Sequence, residues 1–389
     1  MSRIAVLLLL SSVTCHVAFG TGVTGVLYGG NGGLIPNGDF ESCDPSALQG
    51  TKLTNPKGIP NWVATGDVDY IKAGTTQDHM LVVVPEGMHA VRLGDDASIK
   101  QTLTLTPGTY YSVTFSAART CAMQEKLQVS VSPTTMAAGS GLLSIQCLYS
   151  SNGWDSYSWM FLAEAAQVEI TFYNPADEKD NAGCGPVIDA VAIVALPSSL
   201  RTTPDNLLRN GNFEYGPYIS PNTTWGVLIP SKVQDAHCPL LGWGVPSEKA
   251  VKYINYGPFF TPVGNRAVQL MAGKESVIVQ MVRTTIGKVY DLTFAVGDAC
   301  NSCEGSMQVE AFAGKDYFKV PYESKGTGGF KRAQLRFTAV KDWTEIKFMS
   351  SYYTMKSDHS GSLCGPVVDD VKLVLVNAPT KKGPTPKHG

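Results

Sequence analysis

Apolar and polar residues alternate in short runs along most of the chain. Leu127, Val129 and Val131 are separated by Gln128 and Ser130, and Met307, Val309 and Ala311 repeat that arrangement. Val168, Ile170 and Phe172 alternate with polar residues, as do Tyr111, Val113 and Phe115, and Ile346 and Phe348. Each run ends within a few residues at Gly, Pro, Asn or Ser. A period of two bounded by turn formers predicts half-buried antiparallel strands, because successive strand side chains point to opposite faces. The chain has no sustained helical period. Many such strands within about 170 residues predict an all-β fold, a jelly-roll β-sandwich.

The pattern occurs twice. Leu34-Ile-Pro-Asn-Gly-Asp-Phe-Glu41 returns as Leu207-Leu-Arg-Asn-Gly-Asn-Phe-Glu214, and Tyr111-Ser-Val-Thr-Phe115 as Tyr290-Asp-Leu-Thr-Phe294. Val84-Pro-Glu-Gly-Met-His-Ala-Val-Arg-Leu93 returns as Thr261-Pro-Val-Gly-Asn-Arg-Ala-Val-Gln-Leu270. Cys184-Gly-Pro-Val-Ile-Asp-Ala-Val191 returns as Cys364-Gly-Pro-Val-Val-Asp-Asp-Val371. The period is far longer than the roughly 20 to 50 residues of solenoid repeats, so it marks a duplicated domain. The expected division is a first sandwich over 21–197, a Pro-flanked linker over 198–204, a second sandwich over 205–378 and a flexible tail over 379–389.

The first twenty residues predict export. Arg3, the apolar run Ile4 to Leu10 and the small residues Ala18 and Gly20 form a secretory signal pattern, and the run is too short to span a bilayer. No later apolar stretch reaches that length, and the C-terminus lacks the hydrophobic tail of a lipid-anchor signal. Of nine cysteines, Cys15 leaves with the leader, and four remain in each half, which reads as disulfides closed within each copy. Equivalence between the copies predicts Cys121 paired with Cys184, and Cys364 paired with Cys303 or Cys300. Each bond would add about 4 kcal/mol in the chain-entropy view. Cys43, Cys147 and Cys238 have no counterparts, and their pairing stays open. Cys300-Asn-Ser-Cys303 has zinc-like spacing but no second close pair. Asn222-Thr-Thr224 is a glycosylation sequon. The net charge of −2, with charged residues at only 16%, offers nothing to draw the chain to nucleic acid or an anionic membrane.

Several segments together resemble one family. Asn37-Gly-Asp-Phe-Glu41, Ala118-Arg-Thr-Cys121, Gly153-Trp-Asp-Ser-Tyr157, Cys184-Gly-Pro-Val-Ile-Asp189, Lys249-Ala-Val-Lys-Tyr-Ile254, Val309-Glu-Ala-Phe-Ala-Gly314 and Cys364-Gly-Pro-Val-Val-Asp-Asp370 are similar to the plant cell-wall DUF642 family. The match runs in order over almost all of the mature chain. Each half also resembles galactose-binding-like carbohydrate-binding modules. The resemblance implies wall localisation and binding of cellulose, hemicellulose or homogalacturonan. It further implies interaction with pectin methylesterase and influence on pectin esterification. Cys43, Cys147, Cys238 and Cys300 depart from the pattern, as does Met123 where Gln is expected.

Candidate sites follow from this frame. If the first and last strands of each sandwich are neighbours, Glu41 meets Asp189 and Glu214 meets Asp369. Two carboxylates with loop carbonyls would suit a structural calcium ion, which related modules often hold; capping turns or pairing with a basic residue is the alternative. Sugar binding on such folds uses rings for C–H faces and charged or amide groups for hydroxyls. The aromatic residues open to that role are Trp62, Trp154, Tyr157, Trp159, Trp225, Trp243, Tyr253, Phe259, Phe260, Trp343, Tyr352 and Tyr353. Sandwich cores also consume aromatics, and Trp159 and Trp243 are expected there. Trp154, Tyr157, Tyr352 and Tyr353 lie beside Gly, Asn and Ser and are expected at loops. Arg92 and Arg119 can fork onto galacturonate carboxylates or serve in structural ion pairs.

Catalysis has no motif behind it. The chain lacks a Gly-x-Ser-x-Gly elbow, a His-Glu-x-x-His pair and a phosphate loop. Asp78, His79 and His89 read as solvated, and the second copy has no histidine opposite His89. Three readings remain: a non-catalytic polysaccharide-binding pair of modules, a protein partner of pectin methylesterase, and a hydrolase. Retention on polysaccharide, co-purification with the esterase and release of sugar distinguish them. No cofactor is required on the first reading, and a structural calcium ion is the one candidate.

Overall fold

The computed structural model describes residues 33–77, 80–121, 125–133, 140–145, 149–150, 153–175, 184–198, 200–220, 225–232 and 238–376. The leader, Asp78, His79, Met123, Cys147, Asn222 and the tail lie outside them. Among the described residues there is no α-helix, only strands, turns and single 3-10 turns. No helix there is long and apolar enough to cross a membrane.

Each copy is a sandwich of two sheets. In the first domain one sheet runs Lys52–Leu53, Val68–Lys72, His89–Leu93, Val187–Ala195, Tyr110–Ala118, Trp154–Leu162, with the short strand Leu48–Gln49 outside Lys52–Leu53. The facing sheet runs Ser140–Ile145, Glu125–Ser132, Gln167–Tyr173, Ser98–Thr104, Val63–Thr65. The second domain repeats this order. Its first sheet is Val227–Ile229, Val251–Asn255, Arg266–Gln269, Val367–Leu375, Val289–Gly297, Phe330–Thr338. Its second is Val277–Arg283, Trp343–Ser350, Glu304–Ala313, Asp316–Lys325. The alternation read from the sequence is the burial pattern of these strands: Leu127, Val129 and Val131 point inward, as do Met307, Val309 and Ala311.

The repeated motifs build the cores. Trp62 donates its indole N–H to the Asn37 carbonyl at 2.9 Å, and Trp243 does the same to Asn210 at 3.1 Å. Phe40 and Phe213 are fully buried against these indoles, with ring centroids 5.2 and 5.3 Å away. Gly38 and Gly211 are required by packing. A Cβ there would stand 2.0 Å from the carbonyl oxygens of Val191 and Val371. Disulfides join Cys121 to Cys184 and Cys303 to Cys364, as the equivalence predicts. Cys303 is therefore the partner of Cys364; Cys300 is disulfide-bonded as well.

The two domains share one sheet. Tyr157 on the edge strand Trp154–Leu162 of the first domain pairs in parallel with Leu228 on Val227–Ile229 of the second. The joined sheet has 13 strands among the described residues. Leu228, Ala250 and Met271 complete the hydrophobic core of the first domain. Tyr149 is held from the second domain by the Ala250 N–H, which donates to its hydroxyl, and by the Lys252 ammonium, which donates to its carbonyl at 3.1 Å. Asp155 is buried in the same junction; burial pushes its carboxyl up and the Lys252 ammonium down, each opposed by the other's charge.

Candidate functional site

The carboxylates expected to hold calcium are brought together around one loop in each copy. Glu41 Oε1 accepts the backbone N–H of Met88 at 2.6 Å and of His89 at 3.0 Å, while Oε2 lies 2.9 Å from His89 Nδ1. Asp189 Oδ2 accepts the N–H of Glu86 at 2.7 Å, and Oδ1 that of Ala190. The second copy repeats the arrangement. Glu214 Oε1 accepts from Asn265 and Arg266, Asp369 Oδ2 from Val263 at 2.8 Å and Asp369 Oδ1 from Asp370. Each carboxylate pair therefore clamps the same loop, residues 86–89 or 263–266, between the Asn-Gly-x-Phe-Glu segment, which forms turns and not the expected first strand, and the last strand of its domain. Ala190 and Asp370 take φ of 50° and 45° at a bulge, which turns the preceding aspartate inward. Burial pushes the Asp189 carboxyl well above the ordinary range and that of Asp369 up to about 8.

Among the described residues no cluster of three or more metal-ligating side chains is present. The calcium reading of Glu41, Asp189, Glu214 and Asp369 stands beside the bonds that these carboxylates accept from backbone N–H groups.

The expected sugar contacts divide sharply. Trp154 is 4% exposed, its ring set edge-on to Trp225 with centroids 3.7 Å apart. Tyr157 is buried against Phe115 in the first core. Arg92 is buried in an ion pair with Asp69, Nε donating to Oδ2 at 2.9 Å. These three are structural, which corrects the expectation from sequence: Trp225 of the neighbouring domain covers Trp154, the first core takes Tyr157, and a buried acid claims Arg92. Arg119 is half-buried next to the Cys121 disulfide, and its charge acts on the buried Glu125. Trp62, Trp243 and Tyr253 lie in the cores, and Trp159 packs against one. Tyr352 and Tyr353, at 48% and 55%, are exposed as expected.

Duplication identifies a further face. Trp154 pairs with Ala118, three residues beyond Phe115, and Phe330 pairs with Gly297, three beyond Phe294. By the same register Asp155, Ser156 and Ser158 correspond to Lys331, Arg332 and Gln334. In the first domain this outer face is closed. Ser112 bonds Ser158 and Ser116 bonds Ser156 at 2.8 and 2.7 Å, Trp225 donates its indole N–H to Ser156 at 2.9 Å, and Tyr218 covers Ala192 and Val194. In the second domain the same face is open. Phe330 is 41% exposed, 6.3 Å from the Phe260 ring, and the Arg332 guanidinium stands 5.9 Å over it. Arg332 and Lys372 both reach Asp370, at 2.7 and 3.0 Å, and Arg336 pairs with Asp291 through two 2.7 Å bonds. The face joins an exposed ring to a surplus of cations. Phe330 was open to discovery in the sequence, since Gly328-Gly329-Phe330-Lys331-Arg332 places an aromatic between glycines and cations.

Comparison with known proteins agrees with the duplication. A family profile described as "Protein of unknown function (DUF642)" matches residues 33–194 and 206–374. The chain belongs to the DUF642 family. It is 57% identical over 348 residues to the Arabidopsis thaliana protein DUF642 L-galactono-1,4-lactone-responsive gene 2, covering 89% of this chain and 92% of the relative. It is 44% identical over 344 residues to protein TEEBE of the same plant, covering 88% and 91%. Among solved structures, TmCBM61 in complex with β-1,4-galactotriose matches with 18% identity over 42% of this chain and 98% of that one, at a TM-score of 0.30. The tandem CBM22 domains of Paenibacillus barcinonensis Xyn10C match with 10% identity over 81% of this chain and 94% of theirs, at 0.26. In this DUF642 chain the motifs that carry the family resemblance, Asn-Gly-x-Phe-Glu and Cys-Gly-Pro-Val-x-Asp, are the loop clamp and the core.

Proposed function

We propose that this DUF642 protein is an exported, non-catalytic polysaccharide-binding protein of the plant cell wall, and that its second domain binds through the open face of Phe330, Arg332, Gln334 and Lys372. The observation that carries this reading is the contrast between the copies: the equivalent face of the first domain is filled by Tyr218 and Trp225, so only the second has room for a ligand. An exposed ring supports sugar C–H faces, and guanidinium groups fork onto carboxylates. The cationic surplus favours an acidic polymer such as homogalacturonan over a neutral one. No acid–base pair faces this ring. Asp370 and Asp291 are engaged with Arg332 and Arg336, which supports binding without cleavage. A role beside pectin methylesterase follows from family resemblance alone and is not part of this reading.

The test is isothermal titration of polygalacturonate into the purified protein and its Phe330→Ala and Arg332→Ala variants. Each substitution should weaken binding by about tenfold, the equivalent of roughly 1.4 kcal/mol. Unchanged affinity in both variants would exclude this face.

A further inference from the structure

Joining the two domains leaves one long strand edge bare. Among the described residues, Phe330–Thr338 pairs on one side only, with Val289–Gly297. Its counterpart in the first domain is Trp154–Leu162, where Tyr157 holds the place of Ala333. There the second side is taken. Val227–Ile229 of the second domain lies along it, with Leu228 paired in parallel with Tyr157. Leu228, Ala250 and Met271 then complete the first core. In the second domain the core ends at half-buried Ala333 and Tyr322, with Lys331, Arg332 and Arg336 exposed beside them.

A bare edge presents a row of unpaired N–H and C=O groups, which an extended chain can complete. The first domain shows that this fold accepts a strand at that edge. The two edges differ in charge. Asp155 on the occupied edge attracts the Lys252 ammonium, which stands on Val251–Asn255 beside Val227–Ile229. By register Lys331 takes the place of Asp155, and Arg332 and Arg336 take those of Ser156 and Met160. The sign is inverted, so the fitting occupant brings acids instead of a lysine. A second copy of this chain does not fit. The outermost strand of its first domain, Leu48–Gln49, already covers Lys52–Leu53. Lys52 also holds the place of Leu228, since their partners Asp69 and Lys252 pair in turn with the equivalent Arg92 and Gln269. Lysine set against Lys331 and Arg332 is repelled.

We infer that the free edge of Phe330–Thr338 is a strand-addition site for an extended acidic segment of a partner protein. The segment lies parallel to the edge, as Val227–Ile229 does in the first domain. One apolar side chain enters beside Ala333, the part played by Leu228, and the acids next to it meet Lys331 and Arg332. Main-chain bonds supply affinity in this mode, and alternate side chains supply selection. The inference concerns the edge of the sheet and does not depend on its outer face binding polysaccharide.

The probe is the blocked peptide Thr-Thr-Glu-Glu-Leu-Glu-Thr, titrated to millimolar concentration into the full-length protein. Binding should slow hydrogen exchange in Phe330–Thr338 and leave Trp154–Leu162 unchanged. Lys331→Glu should weaken it by about tenfold, and a peptide with lysines for the glutamates should not bind. Two further peptides, N-methylated at alternate residues in opposite phase, keep every charge. A strand bonds its neighbour through one alternate set only, so one of the two should bind about tenfold more weakly than the other. Equal affinity of these two peptides would overturn the inference, since the contact would then be ionic alone and open to any acidic polymer. Failure of the unmodified peptide to bind, or protection placed elsewhere in the chain, would overturn it as well. So would dimerisation of the free protein that Lys331→Glu abolishes in light scattering, which would give the edge to a second copy.

Discussion

Asp369 Oδ2 accepts the backbone N–H of Val263 at 2.8 Å, and its counterpart Asp189 accepts that of Glu86 at 2.7 Å. Burial holds the Asp369 carboxyl at about 8 and raises that of Asp189 in the same direction. A carboxyl whose folded-state pKa lies above its unfolded value binds its proton more tightly when folded. Its contribution is complete below about pH 4 and is lost as the pH climbs through the folded value. The melting temperature should therefore fall by a few degrees between pH 5 and pH 8. In Asp369→Asn that slope should flatten, at the expense of one N–H bond. Thermal denaturation across this range measures both effects.

Chelation should do nothing. The four clamp carboxylates already accept backbone N–H groups, so adding EDTA in excess should leave the melting temperature within about a degree. A shift of several degrees reversed by calcium would instead support the expected calcium site at these carboxylates.

The junction should hold the two sandwiches as one cooperative unit. Trp225 contributes the edge-on contact with Trp154 and the bond to Ser156. Trp225→Ala should remove about 3 kcal/mol or more of docking and split a single calorimetric transition into two. Small-angle scattering should show a larger radius of gyration for the variant.

The disulfides close loops of 63 and 61 residues. Replacing Cys303 and Cys364 together by Ala should destabilise the second domain by about 4 kcal/mol. Denaturant unfolding followed by fluorescence reads this loss, and binding to polygalacturonate should persist at low temperature.

Much of this architecture was legible in the residues. The alternation around Val129 and Val309, the double occurrence of Asn-Gly-x-Phe-Glu and the paired Cys121 and Cys184 carry two sandwiches, their repetition and a disulfide within the first. The meeting of Glu41 with Asp189 was legible too, but its purpose was not: a motif names two carboxylates without showing that backbone N–H groups fill them. The sugar-contact residues were harder for a different reason. Trp154 follows Gly153 and looks like a loop residue, and its burial comes from Trp225, which belongs to the other domain. Local pattern contains the strand but not the neighbour that covers it. Arg92 reads as a free cation until Asp69 on the adjacent strand is placed opposite it. Phe330 stands on the outward set of its strand, out of phase with the inward Ala333, Leu335 and Phe337, so core periodicity does not single it out. The repeated motifs report the scaffold, while the candidate binding faces lie where the two copies differ.

Hydrogen–deuterium exchange of the full-length protein with and without polygalacturonate tests the central claim most directly. The account predicts slowed exchange in Phe330–Thr338 and in the end of Val367–Leu375, with Tyr110–Ala118 and Trp154–Leu162 unchanged. Protection confined to the first domain would contradict it.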